Sequence, residues 1–265
     1  RPGSDMTAPP YWHPTSLSGH RAIVTGAAQG VGKGITAALL ERGAAVLLVD
    51  RSPALPEVAA EFVAAGHRAH HLVADLCDHT SYQRIVDTAV ERFGGLDALV
   101  NNAVATNEPK PFAEITMADF DLAHDTGPRA TFFLMQAAYP LLKAAGGGSI
   151  VNLGSGTGTE GKLFFGAYAS AKEAIRGMSK VAALEWGRDN IRVNVVCPFA
   201  NSEGVRGWSQ AFPDDYRRAV NQAPLRRVGD THADIGATVA FLVGPDASYL
   251  TAQTIHVDGG TGTFR

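Results

Sequence analysis

Cysteine is nearly absent. Cys77 and Cys197 are the only two in 265 residues, too few for a disulfide framework to hold the fold. No stretch approaches the ~18 uninterrupted apolar residues that span a bilayer. The segment from Arg1 to Gly19 also lacks the apolar core of a signal peptide. A cytoplasmic protein with no membrane partner is therefore expected. Charge of one sign is missing too: 23 Lys+Arg against 26 Asp+Glu give a formal net charge of −3. Without a basic stripe, nucleic acid is not an expected partner. Nine histidines are present, but the adjacent His70 and His71 would point to opposite faces of a strand, so no metal site is expected. Arg217-Arg218 and Arg226-Arg227 read as solvated or subunit-contact charge. No internal repeat or linker-like shift divides the chain. Residues 17–265 are read as one domain and residues 1–16 as a flexible N-terminal extension, with Arg1 to Asp5, ahead of Met6, as an expression remnant.

What is present is an alternation of short apolar runs and helical periodicity. Ala22-Ile23-Val24 ends in Thr25-Gly26, and Val31, Ile35, Ala38 and Leu39 then recur at helical spacing until Gly43. The series continues with strand Ala45 to Val49, helix Pro56 to Ala65, strand Arg68 to Val73, helix Ser81 to Phe93 and strand Ala98 to Val100. Further strands fit Ser149 to Leu153, Arg192 to Val196 and Thr254 to Val257, with long helical patterns beginning near Thr116, Ala167 and Ala233. Strands separated by helices imply an α/β fold, a doubly wound parallel sheet with helices on both faces.

Two clusters carry chemistry. The glycine-rich stretch Thr25-Gly26-Ala27-Ala28-Gln29-Gly30-Val31-Gly32 falls where a strand hands over to a helix, where backbone N–H groups and the positive helix end can hold a pyrophosphate. Alone it can also be no more than a tight connection. Some twenty residues on, the next strand ends at Asp50, where a carboxylate can accept from both hydroxyls of an adenosine ribose. Asp75, after the third strand, could accept from an adenine amino group. The second cluster is Tyr168-Ala169-Ser170-Ala171-Lys172. A helix brings residues four apart onto one face, and a neighbouring ammonium is expected to lower the Tyr168 pKa toward neutrality, making it a usable acid or base. Ser155 lies thirteen residues earlier in a glycine-rich segment leaving the fifth strand.

Together these residues resemble the short-chain dehydrogenase/reductase family, in the branch marked by TGxxxGxG and YxxxK. The resemblance runs from Leu17 to about Gly260. It adds Asn101-Asn102-Ala103, Arg192-Val193-Asn194 before Pro198, and Val257-Asp258-Gly259-Gly260. It implies a seven-stranded Rossmann-type fold and hydride transfer between nicotinamide C4 and the carbon of a small-molecule alcohol or ketone. Carried over by position, Tyr168 is the general acid/base, Lys172 binds the nicotinamide ribose and tunes Tyr168, and Ser155 positions the substrate oxygen. The implied cofactor contacts are Gly26, Gln29, Gly30, Val31, Gly32, Asp50, Arg51, Asp75, Leu76, Asn102, Ala103, Tyr168, Lys172 and Pro198. The cofactor implied is NAD, because Asp50 would repel a 2′-phosphate. A homotetramer paired through the helices starting near Thr116 and Ala167 is implied as well.

The chain departs from the family pattern in several places. Gly127 stands where the family has a catalytic asparagine, followed by Pro128, which is expected to kink the helix and leave the Gly127 carbonyl or a near neighbour without a helical partner, facing water beside Lys172. Val104 stands where glycine is usual after Asn-Asn-Ala and is expected to narrow the crevice. After Pro198, Phe199 replaces a glycine and Glu203 a cofactor-contacting threonine. Ser202 is a substitute hydroxyl, and Glu203 is expected to point away from the pyrophosphate or to sit on a shifted loop. Trp208 and Phe212 fall where a substrate lid would lie, or pack as ordinary core. The alternatives are an NADPH-preferring ketoreductase using Arg51 with Asp50 swung aside, a nucleotide-binding regulatory protein that has lost turnover, and a cofactor-retaining lyase or isomerase.

Overall fold

The computed structural model describes residues 16–262. The extension expected over residues 1–16 lies, apart from Ser16, outside them. Seven parallel strands form one sheet in the order β3-β2-β1-β4-β5-β6-β7. They are β1 (Arg21–Thr25), β2 (Ala45–Asp50), β3 (Ala69–Val73), β4 (Ala98–Asn101), β5 (Gly148–Leu153), β6 (Ile191–Pro198) and β7 (Thr254–Val257). Successive side chains of a strand point to opposite faces, and both faces are covered. Val24, Val46, Leu48, Val100 and Val151 pack on one side with Ile35 and Leu39 of α1 (Gly30–Glu41), Leu55 and Val58 of α2 (Leu55–Ala64), and Val239 and Leu242 further on. Ile23, Leu47, Leu99, Ile150 and Val193 pack on the other side. There they meet Ile85 of α3 (Ser81–Phe93), and Leu134 and Leu142 further along the chain. Two-sided burial is why these strands read as unbroken apolar runs.

Thr116 starts α4 (Met117–His124) with a capping box: the Asp119 amide donates to its Oγ1 (3.2 Å) and its own amide donates to Asp119 Oδ2 (2.9 Å). After α4, Asp125–Arg129 form a wide π-type turn containing Pro128 before α5 (Ala130–Ala144). Proline has no N–H to close an α-turn, and the widened turn absorbs it. Ser155 caps the short α6 (Gly156–Glu160), and α7 (Gly166–Trp186) follows. Between β6 and the last helix the chain builds two elements the apolar pattern does not announce, α8 (Glu203–Ala211) and α9 (Pro213–Gln222). Neither buries a residue. Their turns carry i,i+3 ion pairs of Arg206 with Glu203, Arg217 with Asp214 and Arg218 with Asp215. The last helical pattern opens as a π-type turn over Thr231–Gly236 and continues as α10 (Ala237–Val243).

In this strand order the chain reverses direction between β1 and β4, so the connections leaving their carboxyl ends diverge and open a crevice.

Candidate active site

A cleft of about 440 Å³ lies at this reversal point, over the ends of β1, β2 and β4. Gly26, Gln29, Gly30, Val31, Gly32, Asp50, Arg51, Asp75, Leu76, Asn102, Ala103 and Tyr168 all line it. Gly26 and Gly30 adopt left-handed conformations, φ +66° and +53°, which glycine reaches without strain. A Cβ on Gly32 would run into the Gly26 carbonyl, so the turn closes only on bare backbone. Asn102 locks the turn from β4: its Nδ2 donates to the carbonyls of Thr25 (2.9 Å) and Gly26 (3.2 Å). The amides of Asn102 and Ala103 donate to Thr25 Oγ1, each at 3.1 Å. At α1's start, Gln29 makes no side-chain cap and the first turn holds no acid of its own. Its amides therefore face the cleft as an anion site.

Asp50 is fixed rather than free to swing. The Ala28 amide donates to its Oδ2 (3.0 Å) and the Ser52 amide to its Oδ1 (2.9 Å). Asp75 accepts from the Cys77 amide (2.9 Å). The bare-backbone turn, the uncapped helix start and the pinned carboxylate together fit a dinucleotide.

Ser155, Lys172 and Pro198 stand behind the lining. Ser155 Oγ accepts from the Thr157 amide (3.1 Å), and the Ser155 side chain acts on the Tyr168 phenol, favouring its charged form. Lys172, 2% exposed, donates from Nζ to the Leu153 carbonyl (2.7 Å) and lies 5.6 Å from the Tyr168 ring centroid. Pro198 ends β6 in register with Val257. The expected depression of Tyr168 does not occur: burial pushes its phenol above the ordinary tyrosine value, with Ser155 opposing the shift. Burial also brings Lys172 down to about 8. The ammonium is directed at a backbone carbonyl, and desolvation is the largest cause of the shift at both groups.

Two further expectations are corrected. The Gly127 carbonyl accepts from the Ala130 amide, which removes Gly127 itself, though not a near neighbour, as the expected unpartnered carbonyl, and the helix does break its α pattern there. Glu203 does not point away from the glycine turn. Its Oε2 fills the space a Cβ on Gly30 would take, while Oε1 accepts from Arg206 (2.5 Å). Ser202, another cleft residue, caps α8 by accepting from the Val205 amide (3.3 Å).

Sequence reasoning passed over several neighbours. Thr126 lines the cleft and clips the loop after β4 to the π-turn: the Ala105 amide donates to its Oγ1 (2.8 Å), which donates to the Leu122 carbonyl (2.7 Å). A buried polar chain runs beneath, Asn101 Nδ2 to Asn152 Oδ1 and Asn152 Nδ2 to Ser179 Oγ, both 2.8 Å. Asn101 stood inside a quoted motif, whereas Asn152 and Ser179 carried no local signal. On the outer side, Lys162 Nζ sits 5.5 Å from the Phe165 ring and 4.6 Å from the Trp208 ring. Phe165 in turn packs edge-on to Tyr168, centroids 6.4 Å apart. Trp208 thus belongs to the site's rim, and Phe212 beside it is exposed.

A nucleotide-binding cleft beside a tyrosine, serine and lysine on a seven-stranded parallel sheet defines a dinucleotide-dependent oxidoreductase. Comparison with known proteins specifies which. A family model described as enoyl-(acyl carrier protein) reductase matches residues 26–262. The chain is 37% identical over 254 residues to a 12α-hydroxysteroid dehydrogenase of Clostridium sp. (strain ATCC 29733 / VPI C48-50), covering 93% of this chain and 98% of that one. It is 38% identical over 251 residues to a tropinone reductase homolog of Arabidopsis thaliana, covering 92% and 91%. The solved 7α-hydroxysteroid dehydrogenase complexed with NADH and 7-oxo glycochenodeoxycholic acid superposes with a TM-score of 0.86 at 32% identity, covering 92% and 94%. The chain belongs to the short-chain dehydrogenase/reductase family and is an NAD(P)-dependent oxidoreductase.

Proposed function

We propose that this enzyme interconverts a secondary alcohol and its ketone with NAD(H), the substrate being a bulky alicyclic compound of the kind its hydroxysteroid and tropinone relatives are named for. The observation that carries the reading is the placement of Tyr168 on the wall of the cleft that the glycine turn and Asp50 line. The bound nicotinamide would exchange a hydride with the substrate carbon. The chain's own residues do the rest. Tyr168 takes the hydroxyl proton in oxidation and returns it to the carbonyl oxygen in reduction, and Ser155 donates to that oxygen as its charge grows. Lys172 supports the site from behind with its buried cation. Exposed Leu163, Phe164 and Phe212 around the Phe165–Trp208 rim offer apolar surface for a ring system.

Preference for NAD over NADP is supported by Asp50, whose two amide bonds hold a negative charge where a 2′-phosphate would sit. This also weighs against the swung-aside carboxylate that a ketoreductase using Arg51 would need. The regulatory-protein alternative fits poorly with the presence of serine, tyrosine and lysine together beside the cleft. Residues 17–265 would then act as one dinucleotide-binding unit. A homotetramer is supported by exposed apolar residues on α4, α5 and α7, among them Phe120, Phe132, Phe133 and Leu184. No described helix is long and apolar enough to cross a membrane, and we take the compartment to be the cytoplasm. Steady-state assay of hydroxysteroids, tropane alcohols and simple cyclic alcohols with both cofactors tests the reading. Turnover with NAD is expected, and absence of turnover with either cofactor across the panel would overturn it.

A further inference from the structure

The glycine turn has an occupant that the chain itself supplies. Glu203 begins α8, far along the chain from α1, yet its Oε2 stands over Gly30 where a side chain at that position would be. Oε1 is engaged by Arg206, which leaves Oε2 as the oxygen facing the helix start. That start is electropositive, without a side-chain cap or an acid in its first turn. Lys33, the nearest cation along α1, is turned to Glu61 (2.8 Å) on α2. The carboxylate therefore stands over Gly30 beside the uncapped start of α1, inside the cleft that Glu203 helps to line.

We propose, resting on the dinucleotide reading above, that Glu203 is an internal anion standing over the glycine turn in the place the cofactor's pyrophosphate would take, and so sets cofactor affinity. The two anions repel each other across the cleft, and an oxygen over Gly30 blocks close approach of a phosphate to the bare backbone of the turn. Cofactor entry therefore requires the Glu203 side chain to leave Gly30. On the exposed α8 the paired Glu203 and Arg206 side chains can turn outward together. Affinity falls by whatever the carboxylate gains at the turn, and release of bound cofactor is assisted by the same group returning.

The test is calorimetric titration of NADH into the full chain as wild type, E203Q and E203A, with D214N as a control for net charge. Asp214 lies on exposed α9 and pairs with Arg217 in the same i,i+3 manner. Both Glu203 variants are expected to bind NADH more tightly, on the order of three- to tenfold, which is the scale of a charge at a helix terminus. D214N should match wild type, and adenosine, which lacks phosphates, should bind all four proteins alike. Glu203 variants that bind NADH no better than wild type, or that tighten adenosine equally, would overturn the inference while leaving the dinucleotide reading intact. If neither wild type nor variants bind NADH or NADPH, both fall together.

Discussion

The Val104 Cγ2 atom stands 3.4 Å from where a Cβ on Gly127 would lie, with Ala171 and Ile175 of α7 each at 3.9 Å. Two departures from the family pattern, a valine for a glycine after β4 and a glycine for an asparagine in the helix, are thus one feature. The side chain lost from the π-turn is replaced by one reaching in from the β4 loop, and Thr126 binds the two segments together. G127N alone should crowd Val104 and cost about 1–3 kcal/mol of stability. V104G/G127N should relieve the crowding, giving a coupling above about 1 kcal/mol in a double-mutant cycle by chemical denaturation. Additive effects would separate the two positions.

Asp50 is held at both carboxylate oxygens by backbone amides, so its charge stays at the β2 end whatever binds. Calorimetry should give tighter binding of NAD(H) than of NADP(H). D50A should weaken NAD(H) by roughly tenfold, the scale of one charge-assisted hydrogen bond, and bring the two cofactors near parity. A wild type that favours NADP(H) would contradict the assignment.

Tyr168 has a phenol held above its ordinary value by burial, and oxidation needs the phenolate whereas reduction needs the phenol. Alcohol oxidation should therefore rise with pH into the alkaline range while ketone reduction falls. Y168F should lose at least about a hundredfold in kcat, with the NADH Kd unchanged. Turnover near the wild-type rate in Y168F would remove it from the chemistry.

Lys172 is buried at about 8, against ~10.4 in an unfolded chain. Below pH 8 both states carry the proton and the cost of burying the ammonium is present in full. Between pH 8 and ~10.4 the unfolded state binds more protons, so stability rises with pH, by up to about 3 kcal/mol. Urea denaturation of the cofactor-free protein should show this rise relative to K172M. Parallel pH curves for the two proteins would mean that the lysine is not desolvated.

The apolar residues of α5 and α7 that lie open on one chain, Phe132, Phe133 and Leu184 among them, should be covered in an assembly. Light scattering at micromolar concentration should give the mass of four chains, and F133D/L184D should reduce it. A monomeric wild type would refute this arrangement.

What the sequence by itself determined is the local and periodic part of the protein. Two-sided burial makes each central strand a short unbroken apolar run, and glycine at 26, 30 and 32 marks a turn that tolerates no Cβ. Four-residue spacing puts Tyr168 and Lys172 on one side of α7. Each of these leaves a mark in the order or spacing of residues close together in the chain. Tertiary structure alone decided the rest. Val104 faces Gly127 and Glu203 faces Gly30 because loops from distant strands converge over the same crevice. Asn101, Asn152 and Ser179 join only because β4, β5 and α7 pack together. The direction of the Tyr168 shift was likewise not readable from the lysine four residues on. Desolvation sums over every group that excludes water from the phenol, and those groups come from the whole fold.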